Sequence, residues 1–356
     1  MYQRIPPLYS FKLLPTTEVA FFEGVGKFAF ARTALKYGLM ALNLGRGDKI
    51  LIPQMICDVV LHPLQQLGIQ PVYYEVEPYF SPQWEKLESV VNEQTKAIFM
   101  VHYFGQPQDV GRFQDFARKH RLFLIEDNAH GHGSLWQGKF LGTYGDIGIT
   151  SPRKTFSIPH GAYLFLNNYP STLPEFPALP VNFFKQQIKS RLKTLIQHYP
   201  ALDIRKKIRP PYEKQGVFLE SEVSDWAMNE KVHQYMNKQD LAGVLKIRQQ
   251  IYHIWEAWTS QQGLKPLFPK LFHETVPMIF AAYTQTQQES IRWFEWGFQH
   301  GIDVHSWPSL PPEIVRADSQ AMRYWERLVC FPIHQEMNPE HLVAYLKKNH
   351  SPFSVL

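Results

Sequence analysis

Between Phe123 and Asn167 the chain reads FLIEDNAHGHGSLWQGKFLGTYGDIGITSPRKTFSIPHGAYLFLN. The apolar run Phe123-Leu124-Ile125 ends abruptly in Glu126-Asp127. Such a run reads as a buried strand that carries a carboxylate to its C-terminal end, the edge at which open α/β sheets hold their ligands. Gly145-Asp146 then opens a second strand-like run, Ile147 to Thr150, which leads into Ser151-Pro152-Arg153-Lys154. After a turn containing Pro and Gly comes a third run, Tyr163 to Leu166. An acid, a hydroxyl and an amine thus each follow a strand. Together these groups suit pyridoxal 5'-phosphate (PLP) chemistry. A lysine amine holds the aldehyde as a Schiff base, and a carboxylate keeps the pyridine nitrogen protonated so that the ring draws in electrons. Singly, Asp127 is a strand end and Lys154 a solvated loop lysine; only the constellation points to a cofactor.

The order Glu-Asp-x-Ala-His-x-x-Gly (126–133), Gly-Lys-x-x-Gly (138–142), then Gly-Asp (145–146) with Ser and Lys downstream, resembles the DegT/StrS-type sugar aminotransferase family. The resemblance implies that Asp127 pairs with the pyridine nitrogen and His130 lies beside the ring hydroxyl. It further implies that Ser151 touches the phosphate and that Lys154 is the Schiff-base lysine. Ser151 and Lys154 stand about two residues closer together than in the commonest family pattern. Gly-Asp-Lys-Ile (47–50), Thr-Lys-Ala-Ile (95–98) and Val-His-Tyr-Phe-Gly-Gln-Pro (101–107) also match the family, in the right order.

Strands and helices alternate with short connections from about residue 30 to 167, which predicts a mostly parallel sheet wrapped by helices. Strands are expected at Lys49–Pro53, Pro71–Glu75, Lys96–Phe104 and Leu122–Ile125. Helices are expected at Ala31–Leu42, Met55–Leu67, from Ser81-Pro82, and from an Asp109 cap. The start of the first helix reads Ala31-Arg32-Thr33-Ala34-Leu35 where the family has Gly-Thr-Ala-Ala-Leu. Arg32 and Thr33 are therefore the phosphate candidates, since a helix N-terminus favours an anion. Where the family often stacks an aromatic on the cofactor ring, this chain has Cys57, which gives less area and no stacking. Met55 or His102 are the neighbours that substitute, and a buried small hydrophobe is the plain alternative for Cys57.

Composition excludes several other classes. A formal charge of +5 over 356 residues suits anionic small molecules at least as well as nucleic acid, and no zinc-knuckle, RNP-like or Walker pattern is present. Gly24-x-Gly26-Lys27 is too short for a P-loop. His102, His130 and His132 invite a metal reading, but there is neither an acid–histidine helix signature nor a cysteine pair, so no metal is expected. No apolar run approaches membrane-spanning length and the N-terminus lacks a signal-peptide core, so the expected location is the cytoplasm.

After Asn167 the pattern breaks into a Pro-rich connection, then an amphipathic helix at 183–199 and a basic segment at 205–214. This 168–222 insertion reads as a packed, solvated helix. Contact of 183–214 with a membrane surface or a partner subunit is the less favoured reading, and a role in holding a nucleotide diphosphate is a third. The region from Ser224 to Trp258 reads as helix broken near Asn237. It precedes strands at 276–283, 302–306 and 329–334 and helices at 288–300, 324–328 and 339–348. The expected fold is α/β, PLP-transferase fold type I, with residues 1–222 forming a large PLP-binding domain (1–27 an entry arm). Residues 223–356 form a helical crossover and a smaller α/β C-terminal domain. The resemblance implies a homodimeric PLP-dependent aminotransferase that moves an amino group, from glutamate, to a keto group on a nucleotide-linked sugar. A sugar dehydratase-like or atypical-substrate member and a non-catalytic PLP-binding scaffold are the alternatives.

Overall fold

The computed structural model describes residues 26–168, 172–182, 223–306, 310–349 and 351–353. The expected entry arm (except its last two residues), the amphipathic helix at 183–199 and the basic segment at 205–214 lie outside the described residues. Five apolar runs pair in parallel: Lys49–Pro53 (β2), Gln70–Tyr74 (β3), Thr95–Val101 (β4), Phe123–Asn128 (β5) and Ile147–Thr150 (β8). Ala162–Leu166 (β9) joins antiparallel to β8, and Gly26–Phe28 (β1) joins antiparallel to β9. The resulting seven-stranded sheet has the order β1-β9-β8-β5-β4-β2-β3. Two short strands, Leu135–Trp136 (β6) and Lys139–Phe140 (β7), form a separate hairpin.

Helices Ala31–Ala41 (α1), Leu61–Leu67 (α2), Trp84–Ser89 (α3) and Val110–His120 (α4) connect the strands. α1 lies directly on β8 and β9. A Cβ added at Gly38 would fall 2.7 Å from Ile147 Cδ1 and 2.9 Å from Leu164 Cδ1, so the missing side chain is what allows the close approach. This contact also fixes which face is which. Ile147 and Ile149 share a face by strand alternation, and Asp127 is the register partner of Ile149. Asp127 therefore stands on the α1 side of the sheet, and Glu126 on the opposite side.

Several expected boundaries move for local reasons. The helix expected from Met55 starts late: Cys57 is extended (φ −73, ψ 132), a 3-10 turn covers Asp58–Val60, and only then does α2 begin. Ser81-Pro82 does not start a helix, because Pro82 bridges to Val76; α3 starts after Gln83. Asp109 caps α4 as expected, accepting from Arg112 N–H at 3.1 Å. β4 stops at Val101 although apolar residues continue, because Phe104 (φ +55) and Gly105 (φ +91) turn the chain. A Cβ at Gly105 would sit 2.5 Å from the Val276 carbonyl oxygen and 3.2 Å from Gly131 Cα, so only glycine lets these three loops meet.

The remainder forms a smaller unit. Glu230–Met236 (α5) and Leu241–Ser260 (α6), parted at Asn237, lead to a three-stranded antiparallel sheet of Lys265–Pro266 (β10), Ile279–Tyr283 (β11) and Leu328–Pro332 (β12). Gln287–His300 (α7), Pro312–Arg316 (α8), Gln320–Arg327 (α9) and Pro339–Lys348 (α10) complete it. Trp255, Trp293, Phe280 and Phe331 form its core. The strand expected at 302–306 is reduced to a single bridge, His305 to Cys330. Residues 223–228, expected to open this unit, instead follow the edge of the large sheet, where Ala29 N–H donates to the Trp226 carbonyl at 2.9 Å. Gln106 joins the two units: its Oε1 accepts from Phe272 N–H and from the Thr275 hydroxyl. Among the described residues, no helix is long and apolar enough to cross a membrane.

Candidate active site

Adjacent carboxylates at the end of β5 have different surroundings because they face opposite sides of the sheet. Glu126 is fully buried and accepts four hydrogen bonds. His102 Nε2 (2.9 Å) and Gly142 N–H (2.6 Å) reach Oε1; Tyr144 N–H (2.6 Å) and Gly145 N–H (2.9 Å) reach Oε2. It therefore folds the 142–145 turn over the back of the sheet. Gly148 is needed beneath that turn, since a Cβ there would lie 1.8 Å from the Gly142 carbonyl oxygen. Glu126→Gln replaces one acceptor oxygen by an amide that faces two donors. A loss on the order of 2 kcal/mol is expected, read as a lowered urea midpoint.

Asp127, 7% exposed, accepts from Ala129 N–H at 2.8 Å. Burial raises its pKa, while the Lys154 charge, the Ala129 hydrogen bond and the His102 charge pull it back down. Lys154 ends a 3-10 turn, Pro152–Lys154, that follows β8 and is closed by Lys154 N–H donating to the Ser151 carbonyl at 3.0 Å. Its ammonium also acts on His130, where burial and then Lys154 hold the imidazole well below its ordinary pKa. His130 Nδ1 accepts from Phe104 N–H at 3.2 Å. A neutral imidazole with Nδ1 accepting carries its proton on Nε2, so His130 presents an N–H donor there. Asp127, His130 and Lys154 thus share one buried electrostatic field.

Other sequence candidates are placed differently. His102 is fully enclosed, with Nε2 on Glu126 and Nδ1 accepting from Gln108 N–H at 3.0 Å. Both nitrogens are committed to protein, so His102 has no free hydrogen-bonding nitrogen to offer a cofactor. Thr33 has one hydroxyl hydrogen and gives it to the Ser224 carbonyl at 2.9 Å. It therefore ties α1 to the edge segment and is no donor to an anion. Arg32, buried on the first turn of α1, lies with its guanidinium 4.8 Å from the Phe30 ring centroid. Cys57 is half-buried at the end of the β2 loop, with Sγ 3.7 Å from Asp58 Oδ1. Ser151 is buried beside the lysine turn, and its hydroxyl has no protein partner. The histidines that suggested a metal diverge onto Glu126, Phe104 and Thr150.

Three contributors escaped the sequence reading. Phe104, in the left-handed region, stacks its ring on His130 (centroids 5.6 Å apart, planes 8° apart). A non-glycine residue held at φ +55 is a strained position that sequence alone does not reveal. His132 stacks on Tyr163 and bonds Thr150 Oγ1 at 3.2 Å. Arg248 on α6 reaches back to the lysine turn: Nη2 donates to the Thr155 carbonyl at 2.8 Å, Nη1 to Pro277 at 2.9 Å and Nε to Gln335 Oε1 at 3.0 Å. Its sequence signal is an arginine on the apolar stripe of a helix.

Burial also couples the site to pH. His132 is held down to about 3 and His130 well below its ordinary value. The folded state refuses protons that the unfolded chain takes up below about 6.5. Stability from this source is therefore full above about 6.5 and is lost as pH falls toward the folded values, at about 1.4 kcal/mol per pH unit for each such group. Urea midpoints should drop between pH 6.5 and pH 4.5, and His132→Phe should lessen the slope by about one proton.

The residues present fit a PLP-like group. Asp127 is a buried carboxylate whose pKa burial raises, and a protonated pyridine nitrogen beside it would stabilise its charged form. The unpartnered Ser151 hydroxyl fits a phosphate oxygen.

The seven-stranded sheet with one antiparallel inner strand, followed by a smaller antiparallel unit, is similar in fold to solved sugar aminotransferases. The Helicobacter pylori aminotransferase PseC, involved in pseudoaminic acid biosynthesis, superposes with a TM-score of 0.65 at 16% identity over 96% of this chain and 88% of that one. Residues 28–169 match the model of the DegT/DnrJ/EryC1/StrS aminotransferase family, a span that includes every site residue named from Arg32 to Lys154. GDP-perosamine synthase of Escherichia coli O157:H7 is 30% identical over 141 residues, 38% of each chain. A dTDP-4-dehydro-2,6-dideoxy-D-glucose 3-dehydratase of Saccharopolyspora spinosa is 29% identical over 147 residues, 38% of this chain and 32% of that one. The chain thus aligns with about a third of the length of these relatives.

Proposed function

We propose that the chain is a PLP-dependent aminotransferase that moves an amino group, from glutamate, to a keto group on a nucleotide-linked sugar. The observation that supports this reading is the mutual electrostatic influence of Asp127, His130 and Lys154, with Asp127 facing α1 at the C-terminal end of β5. When bound, PLP supplies an electron sink next to the reacting carbon. Asp127 keeps a carboxylate against the ring nitrogen, and the opposing Lys154 and Ala129 contacts favour its ionised form. His130 donates Nε2–H toward the ring oxygen. Lys154, once free, takes a proton from the amino-bearing carbon and returns one to the other side, which a lysine does when its site favours the neutral amine. Ser151 and Arg32 hold the phosphate. Homodimeric assembly, cytoplasmic residence and a role in polysaccharide biosynthesis belong to the same reading and rest on the family resemblance.

Similarity to a named dehydratase favours a second reading, in which the same residues remove a sugar hydroxyl. Incubating the chain with PLP, glutamate and a panel of nucleotide-linked keto sugars separates the two. The aminotransferase reading predicts one 2-oxoglutarate formed per amino sugar. A deoxygenated sugar formed without net amino transfer would favour the dehydratase.

A further inference from the structure

The loop between β8 and β9 contains polar atoms that the fold leaves unmet. His160 is 1% exposed, yet neither of its ring nitrogens has a hydrogen-bond partner. The hydroxyls of Ser151 and Ser157, in the same loop, are likewise buried and unpartnered. Leaving such a group buried and unsatisfied is destabilising. An apolar residue at position 160 would avoid that cost, so the polar ring is better explained by something it binds.

Its neighbours indicate what that is. The pairing of Phe28 with Ala162 continues through Gly161 N–H, which donates to the Ala29 carbonyl at 2.8 Å. His160 therefore falls beside Phe30, the residue that opens α1. Within the strand that follows, Leu164 faces α1. On its other side, a Cβ at Gly161 (φ +148) would lie 3.6 Å from Pro152 Cγ, so this corner packs on the turn that carries Lys154. Phe30 gives α1 no side-chain cap. The guanidinium groups of Arg32 and Arg153 lie 4.8 and 5.9 Å from the Phe30 ring centroid. A helix N-terminus and two guanidinium groups attract an anion with several oxygens.

We propose that His160 binds the phosphate monoester of PLP, donating an imidazole N–H to a phosphate oxygen between the start of α1 and the lysine turn. This rests on the cofactor reading above and adds a residue to it. Burial holds His160 down to about 4, so the ring acts as an uncharged donor while Arg32 and the helix end supply the field. A buried water would meet the same nitrogens but would not make the site prefer a phosphorylated ligand.

The test uses the full chain freed of cofactor, as wild type, His160→Leu and His160→Gln, titrated with PLP, pyridoxal, UDP and GDP. The Leu variant should melt no lower than wild type without ligand, since it removes two unmet polar atoms. Its affinity for PLP should fall tenfold or more, its affinity for pyridoxal should stay within twofold, and the Gln variant should recover most of the loss. Equal loss for PLP and pyridoxal, no loss for PLP, or a loss confined to UDP or GDP would overturn the assignment. If wild type binds neither PLP nor pyridoxal, the cofactor reading itself falls and takes this one with it, and that outcome is visible without any variant.

Discussion

Lys154→Ala should reduce amino transfer from glutamate by at least about 10²–10⁴-fold, the range a positioned general acid–base contributes. The fold should persist, because the turn that presents Lys154 is closed by backbone bonds: Lys154 N–H to the Ser151 carbonyl and Thr155 N–H to Pro152. Lys154→Arg should not restore the activity. A guanidinium stays charged at any working pH, so it cannot take up the proton that the step releases. Measuring 2-oxoglutarate formation beside a melting curve separates the two effects. An intact melt with lost transfer is the expected pair, and transfer that survives in the alanine variant would remove Lys154 from the chemistry.

Arg248→Ala should have the largest effect on stability, on the order of 4 kcal/mol. The side chain has no exposure, and its three bonds go to neutral acceptors; burial alone brings its pKa down to about 9. Its removal leaves a cavity and strands the Pro277 carbonyl and Gln335 Oε1 without their donor. The Thr155 carbonyl keeps one bond, from Gln335 Nε2 at 3.2 Å. Because Thr155 follows Lys154, the damage should reach the lysine turn as well. Amide exchange at 153–156 should rise more than at β2, which Arg248 does not touch. Equal protection at both places would mean that Arg248 supports only the smaller unit.

The large sheet was legible because its strands are near-continuous apolar runs bounded by turn residues, the pattern that burial on both faces requires. Asp127 and Lys154 could be named because each follows such a run. The side-chain commitments beside them could not. Glu126 and Asp127 are adjacent and chemically alike, and only the register of β5 on β8 shows which one faces α1. Thr33 and His102 were plausible ligands by type, but their hydrogen bonds go to Ser224 and Glu126, partners set by tertiary packing. Phe104 reads as the end of a strand until the crossing of Gly105 with the Gly131 and Val276 loops shows why the chain must turn there. Arg248 lies ninety-odd positions from the turn it holds, and no local period reports such a contact. In the smaller unit the helix stops at Asn237 and Gly301 were readable from residue type, while the lost strand at 302–306 was not, because one bridge to Cys330 is all that forms.

Lys154 is proposed as the residue to which PLP attaches. The most direct measurement is to mix the full chain with PLP, reduce with borohydride to fix any lysine-bound cofactor, digest, and map the modified peptide by mass. The account predicts one pyridoxyl group, on the peptide that contains Lys154, with no such label after prior conversion of the cofactor by glutamate. A label on another lysine, or none at all in the wild-type chain, would contradict it.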